Sequence, residues 1–430
     1  EDQLAERALL LPEVVVVDRG PSGGRPEHDI AAALTTVLSG LVDFRLIDTG
    51  TAQDWRTGGP GLTRYGALPD GTPGTNLKKA TVFRLPQASL IFEALWKSNV
   101  TAHVQANFDD HADTNENRGH LGVVEAYAIP FHGEAISLRA GVLIPPLSLE
   151  HPGPAWSTLY TITPSAVNTW IGEELRPLAA EFTWNFSAGN ESALSVTAAL
   201  FSNNDPAGAI LSWRGWALHD WQFKAGDRLR MQTDIVAALS STGWTSPFKE
   251  VDGRMGGYAK VSYRKGDKFK IEAAYWDNGG DRRSKDLIAF ANDYAWKTAF
   301  THVAVQYKPS ADLTFLAQGL AGSTEMGDPV GAWVQNDFTA WYALGSYLYR
   351  AHRLTFRYDL FQVIDRDGFA ADLNDQKGFA QTAAYTYNID DRKTVSAEYL
   401  HPFSERPGNS NLSRTDPYDD TFQLQFRMIF

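Results

Sequence analysis

Charged side chains recur at every second position through much of this chain, and that spacing is its first chemical clue. Arg228, Arg230 and Asp234 alternate with Leu229, Met231, Thr233 and Ile235, and Lys260 and Arg264 alternate with Ala259, Val261 and Tyr263. Lys270 and Glu272 interleave with Phe269, Ile271, Ala273 and Tyr275, and Arg353, Arg357 and Asp359 with Leu354, Phe356, Tyr358 and Leu360. Arg139, Glu181, Glu398 and Arg427 extend the same polar face. Opposed charges across a narrow water-filled space set a transverse field that orders polar solutes crossing it. The plainer alternative is that these groups pair along their own wall and only satisfy one another.

Other chemistries find less support. Trp156, Trp170, Trp213, Trp216 and Trp276 could stack on sugar rings, although aromatics of such a chain also serve as an interfacial girdle. The clusters Asp109-Asp110-His111-Ala112-Asp113 and Asp416-Pro417-Tyr418-Asp419-Asp420 offer hard oxygen ligands, but neither has the spacing of a calcium loop, and solvated loops are the better reading. No metal and no cofactor is expected. His-Glu-x-x-His and a phosphate-cradling glycine loop are missing from the sequence, and His302 falls on the polar face, so an enzyme is not expected. With no cysteine there is no disulfide framework or thiolate site. A net charge of -12 argues against nucleic acid as a partner.

The elements that must carry these residues are strands. The helical period is nearly absent, and alternation recurs in segments of about eight to eleven residues, the length of a tilted membrane-crossing strand. In the last segment Phe422, Leu424, Phe426, Met428 and Phe430 share one face, and Thr421, Gln423, Gln425 and Arg427 the other. The terminal Phe430 is similar to the signature that barrel-assembly machinery recognises. Candidate strands lie near residues 42–49, 88–96, 101–108, 122–130, 135–143, 178–186, 193–202, 209–222, 228–239, 256–264, 269–276, 297–308, 313–321, 338–349, 353–363, 379–388, 393–400 and 421–430. Short turns (225–227, 265–267, 390–391) alternate with long polar loops (109–119, 277–293, 401–419), as in an antiparallel transmembrane barrel. No stretch approaches the roughly twenty apolar residues of a membrane-spanning helix. The expected fold is therefore all-β: a closed antiparallel barrel of 16 to 18 strands over residues 42–430, with residues 1–41 as a periplasmic N-terminal extension. The Gly- and Pro-rich stretch 50–80 reads as a long loop.

One segment breaks the ladder. Prolines 145, 146, 152, 154 and 164 forbid a regular strand or helix, yet Leu147, Leu149, Trp156, Leu159 and Ile162 are too apolar for a solvated loop. A loop of this kind must pack on something, and inside a barrel that surface is the lumen wall. Residues 145–176 are thus expected to fold inward as a constriction. The residues expected to line it and the pore are Arg139, Glu150, Trp156, Glu173, Glu174, Arg176, Arg230, Lys260, Arg264, Arg357, Asp359 and Arg427.

The run Arg139-Ala140-Gly141-Val142 into Pro146, followed by Ser148-Leu149-Glu150 and an aromatic- and serine-rich loop, resembles the strand and pore loop of the phosphate-selective (O/P-type) porin superfamily. That resemblance implies a sixteen-stranded homotrimer of a Gram-negative outer membrane, in contact with lipid and lipopolysaccharide and passing small hydrophilic solutes or ions. The family selects anions with a basic ladder. Here Glu150, Glu173 and Glu174 stand against Arg176, so phosphate selectivity does not follow. The expected function is passive diffusion. The alternatives are a closed barrel serving an envelope complex and, more remotely, a secreted all-β carbohydrate-binding protein.

Overall fold

The computed structural model describes residues 34–69, 77–96, 100–110, 119–189, 191–230, 244–286, 293–330, 333–369, 373–406 and 416–430. Sixteen strands form one closed antiparallel barrel. They are β1 (Leu34–Asp48), β2 (Thr81–Trp96), β3 (Val100–Phe108), β4 (Leu121–His132), β5 (Ile136–Val142), β6 (Leu178–Gly189), β7 (Ser192–Ser202) and β8 (Gly256–Lys265). The ring continues with β9 (Phe269–Asp277), β10 (Lys297–Tyr307), β11 (Leu313–Gly327), β12 (Trp333–Tyr349), β13 (His352–Asp365), β14 (Gln376–Asn388), β15 (Lys393–Glu405) and β16 (Thr421–Ile429). Each strand pairs with its sequence neighbours, and β1 closes the ring against β16, with Phe44 opposite Phe426. At the seam Gly40 and Phe430 exchange backbone hydrogen bonds of 2.9 and 3.0 Å. A β-carbon on Gly40 would meet the Phe430 ring at 2.5 Å, so the seam needs glycine there.

The polarity of the barrel is inverted relative to a soluble sheet. On β16, Phe422, Leu424 and Phe426 are 43%, 41% and 37% exposed, whereas Thr421, Gln423 and Gln425 are 2%, 6% and 4% exposed. Apolar residues face out because their surroundings are apolar; polar residues face in, towards the lumen. Many outward aromatics lie towards the strand ends, while Phe92 and Trp341 are exposed nearer mid-strand. Trp184, Tyr307, Tyr347, Tyr349, Tyr385 and Tyr387 belong to the rim of short turns, and Phe83, Tyr275, Tyr399 and Phe422 to the rim of long loops. Such belts place amphipathic rings at the two membrane interfaces. The short turns close locally. In the β14–β15 turn, for example, Asp390 accepts the backbone N–H groups of Arg392 and Lys393 at 2.9 and 2.8 Å.

Sixteen of the eighteen expected strands are present, and two expectations need correction. Residues 209–222 are not a strand: they begin as the short helix Ala209–Arg214 and continue as irregular chain inside the barrel. Arg230 lies not in the wall but in a two-residue strand, Leu229–Arg230, paired with Trp244–Thr245. Residues 231–243, with Asp234, fall outside the described residues. The 225–227 turn belongs to the same long connection rather than to the short-turn rim. The first strand begins at Leu34, eight residues before the expected boundary, and residues 1–33 fall outside the described part. Among the described residues no helix is long and apolar enough to cross a membrane.

Three connections on the long-loop rim turn inward in their described residues: 49–69, 143–177 and 203–230. The second contains helix α1 (Ala166–Glu174), and every α1 residue is buried. α1 carries the main apolar cluster into the lumen. Trp170 packs edge-on against Phe300 of β10 (5.2 Å) and Trp216 of the third connection (6.0 Å), and lies 5.4 Å from Phe338 of β12. Tyr258, Trp276 and Phe300 continue the cluster round the wall as stacked rings. The barrel thus has its hydrophobic core where a wide pore would have water. Trp170→Ala opens a cavity at the centre of this cluster, at a cost of about 3–5 kcal/mol. The expected result is a lower temperature for the gel shift that marks barrel unfolding, while unheated protein keeps its compact migration.

Candidate functional site

The 143–177 connection folds inward and is pinned by the wall opposite its own root. The prolines interrupt its own pairing, so many of its backbone groups need partners elsewhere. Lys260 Nζ of β8 donates to Pro146 O at 2.7 Å. Gln318 of β11 reads both directions of one peptide stretch, accepting Leu149 N–H at 2.9 Å and donating to Leu147 O at 2.7 Å. Glu398 of β15 accepts the N–H groups of Ile162 (2.6 Å) and Thr163 (3.1 Å), and Arg427 of β16 donates to Thr158 O at 2.6 Å.

Arg357 of β13 is the centre of this arrangement and is fully buried. Its Nε donates to Asp359 at 2.8 Å, and Nη1 donates to Glu150 Oε1 (3.1 Å), Thr161 Oγ1 (3.1 Å) and Thr163 O (2.6 Å). Nη2 donates to Pro164 O at 3.0 Å and Thr382 Oγ1 at 3.2 Å. Asp359 accepts Ala166 N–H at 3.1 Å, at the start of α1. Glu150 in turn accepts Ser165 N–H (3.0 Å), Ser165 O–H (2.5 Å) and the Asn168 amide (2.5 Å). Arginine suits this position because its rigid fork serves several acceptors in one plane.

The other expected pore residues are distributed as follows. Arg139 lies on the wall, paired with Glu181 at 3.0 and 3.1 Å, and Tyr258 O–H donates to the same carboxylate. Arg264 is exposed near the short-turn rim. Trp156 stacks on His151 with ring centres 4.4 Å apart. Ala155 and Trp156 both take left-handed backbone conformations, φ 54° and 53°, rare outside glycine. That turn aims Ala155 O at two glutamine amides, Gln87 Nε2 and Gln222 Nε2, each at 3.0 Å.

Glu173, Glu174 and Arg176 join the three inward connections to one another. Trp55 of the first connection donates its indole N–H to Glu173 at 2.6 Å, and His219 Nε2 of the third lies 3.4 Å from the same oxygen. Glu174 accepts Ile210 N–H at 3.0 Å and the Trp170 indole at 2.5 Å. Arg176 donates to Phe223 O at 2.5 Å and Gly172 O at 2.7 Å, and burial pulls it down to about 10. Burial pushes the Glu174 carboxyl up to about 8, against the opposing pull of its N–H donors. Trp170, Trp216 and Trp276 are buried in the packing described above, so none presents a face to a passing sugar.

Sequence reasoning missed a second polar network, built mostly from the first and third connections. Arg45 of β1 bonds Asp43 at 2.6 Å and also pairs with Asp220. Arg64 bonds Asp109 at 3.0 Å and reaches Asp220 at 3.4 Å, and Arg56 stacks over Tyr65 at 4.4 Å. Burial alone would raise the Asp220 carboxyl, but Arg45 and Arg64 hold it well below the usual carboxylate range. Two sequence signals bore on it: the Asp109–Asp110 cluster, read as a solvated loop although Asp109 is buried against Arg64, and the apolar–polar mixture of 209–222, expected as a strand and found as an inward loop.

A closed sixteen-stranded antiparallel barrel with an apolar exterior, aromatic belts and a pinned inward loop is the outer-membrane porin fold. The solved structures to which it is similar say the same. The outer membrane channel DcaP of Acinetobacter baumannii matches with 14% identity over 93% of this chain and 98% of that one, TM-score 0.54. OmpF of Salmonella typhi, solved in complex with daunomycin, matches with 12% identity over 93% and 98%, TM-score 0.54. The trimer form of OmpT, an outer membrane protein of Vibrio cholerae, matches with 10% identity over 93% and 100%, TM-score 0.53. No family model matches the chain, and no curated relative does.

The raised Glu174 carboxyl has a pH consequence. The folded plug holds this proton more tightly than the unfolded chain, so the contribution is complete below about 4.5 and fades as pH rises through about 8. Urea should therefore release the inward connections more easily at pH 9 than at pH 6, read as the midpoint of the tryptophan fluorescence change. Glu174→Gln should flatten that difference.

Proposed function

We propose that this protein is an outer-membrane channel of a Gram-negative bacterium, passing small hydrophilic solutes or ions by passive diffusion through a strongly narrowed lumen. The observation that carries this reading is the inverted polarity. Apolar side chains face out along the strands, whereas the lumen face bears Arg139, Lys260, Arg357 and Arg427 beside Glu181, Glu272 and Asp359. Lipid and lipopolysaccharide are the partners expected for the apolar band, and a homotrimer is extended to this chain from the trimeric OmpT to which it is similar. The resemblance of residues 139–150 to O/P-type porins is taken as kinship of fold, without phosphate selectivity.

One observation favours a second reading, the closed barrel. The inward faces of Gln105, Thr298, Gln318, Tyr342, Arg357 and Thr382 are all covered, so chain rather than water occupies much of the described lumen. Conductance separates the two. Arg357→Ala leaves Glu150 and Asp359 buried without their partner, a loss of about 3–5 kcal/mol that should free the 143–177 connection. In planar bilayers the native protein should show small stepwise openings and Arg357→Ala larger ones. Openings in Arg357→Ala alone would establish the closed barrel, and silence from both folded proteins would sink the channel reading.

A further inference from the structure

The 143–177 connection covers the wall from β8 round to β16 and reaches β2 through Ala155 O, which accepts the Gln87 and Gln222 amides at 3.0 Å, so a passing solute is directed to the space beside that contact. Across the ring from β11, against β2 and β3, lies a polar cavity of about 10 Å³, the size of one water molecule. Arg64 of the first connection, Asp220, Gln222 and Lys224 of the third, and Asn107 and Asp109 of β3 and its exit line it. None of its lining residues comes from 143–177, but two of them, Gln87 and Gln222, hold Ala155 O of that connection.

The lining is electrically balanced, with Arg64 and Lys224 set against Asp109 and Asp220. Its charges are already paired, Arg64 with Asp109 and Asp220, and Lys224 with Asp227 at 3.3 Å. Between them runs an amide strip: Gln222 Oε1 accepts from Gln105 and Asn107, each at 3.1 Å. The Arg64–Asp220 contact is the long one, at 3.4 Å, and it spans two separate connections. Parting it would open the space between them while leaving Asp220 paired with Arg45 and Arg64 with Asp109. A lone anion or cation entering there gains one charge partner and faces its opposite. A solute that both donates and accepts replaces each displaced hydrogen bond in kind.

We propose that this cleft is the selectivity filter, and that it favours neutral or zwitterionic solutes rich in hydrogen-bonding groups, such as sugars or amino acids, over simple ions. The proposal rests on the channel reading above and moves the deciding residues from 145–176 to Arg64 and Asp220.

The test is the reversal potential in asymmetric KCl, with folding of each protein checked by heat-modifiable migration. The native protein should reverse near zero. Asp220→Asn should shift the chloride-to-potassium permeability ratio upwards by about threefold, and Arg64→Gln downwards by a similar factor. The double variant should return near zero, which a mere loosening of the fold would not produce. In liposome swelling, glycine and a neutral hexose should enter faster than glutamate or lysine. Strong native ion selectivity, or two folded single variants with the native reversal potential, would overturn the filter while leaving the channel intact. Silence from every variant, Arg357→Ala included, is instead the failure of the channel reading.

Discussion

Lipid offers no hydrogen bonds, so every backbone N–H and C=O that faces it must be satisfied within the wall. That constraint closes the ring between β1 and β16 and fixes the pleat, because one face of every strand must then be apolar and outward. It also hands the lumen a set of polar side chains with no solvent guaranteed to them. The rest of the structure answers that second problem.

The answer here is chain. Three connections enter the barrel, and their backbone groups become the partners of the wall's charges. Lys260, Arg357 and Arg427 donate to loop carbonyls, while Asp359 and Glu398 accept loop N–H groups. Burying a charge is costly unless it is paired and fully hydrogen-bonded. Arg357 meets that condition with six acceptors drawn from wall and loop together. The wall and the loop are therefore each incomplete alone, which makes the inward fold of 143–177 a requirement rather than a preference. The aromatic cluster about Trp170 adds cohesion on the same side of the ring.

The two sides of the lumen differ in kind. From β8 to β16 the loop is held by charge clamps and stacked rings. Against β2 and β3 the contacts are amide to amide and arginine to aspartate, many of them between separate connections.

Much of the wall was legible in the sequence because a strand of period two writes its two environments into alternate residues. Phe422, Leu424 and Phe426 against Thr421, Gln423 and Gln425 specify a wall strand without help from the rest of the chain. The prolines between 145 and 164, set among leucines and tryptophan, likewise specify a packed irregular loop. The misread strand 209–222 shows the limit, since an inward loop carries the same apolar–polar mixture as a wall strand. Which charges meet could not be read at all. Arg357 lies 207 residues from Glu150, and Arg64 lies 156 from Asp220. Alternation sets which way a side chain faces. Only closure of the ring, with three connections packed inside it, decides what it faces, because that depends on distances across the lumen that no local pattern encodes.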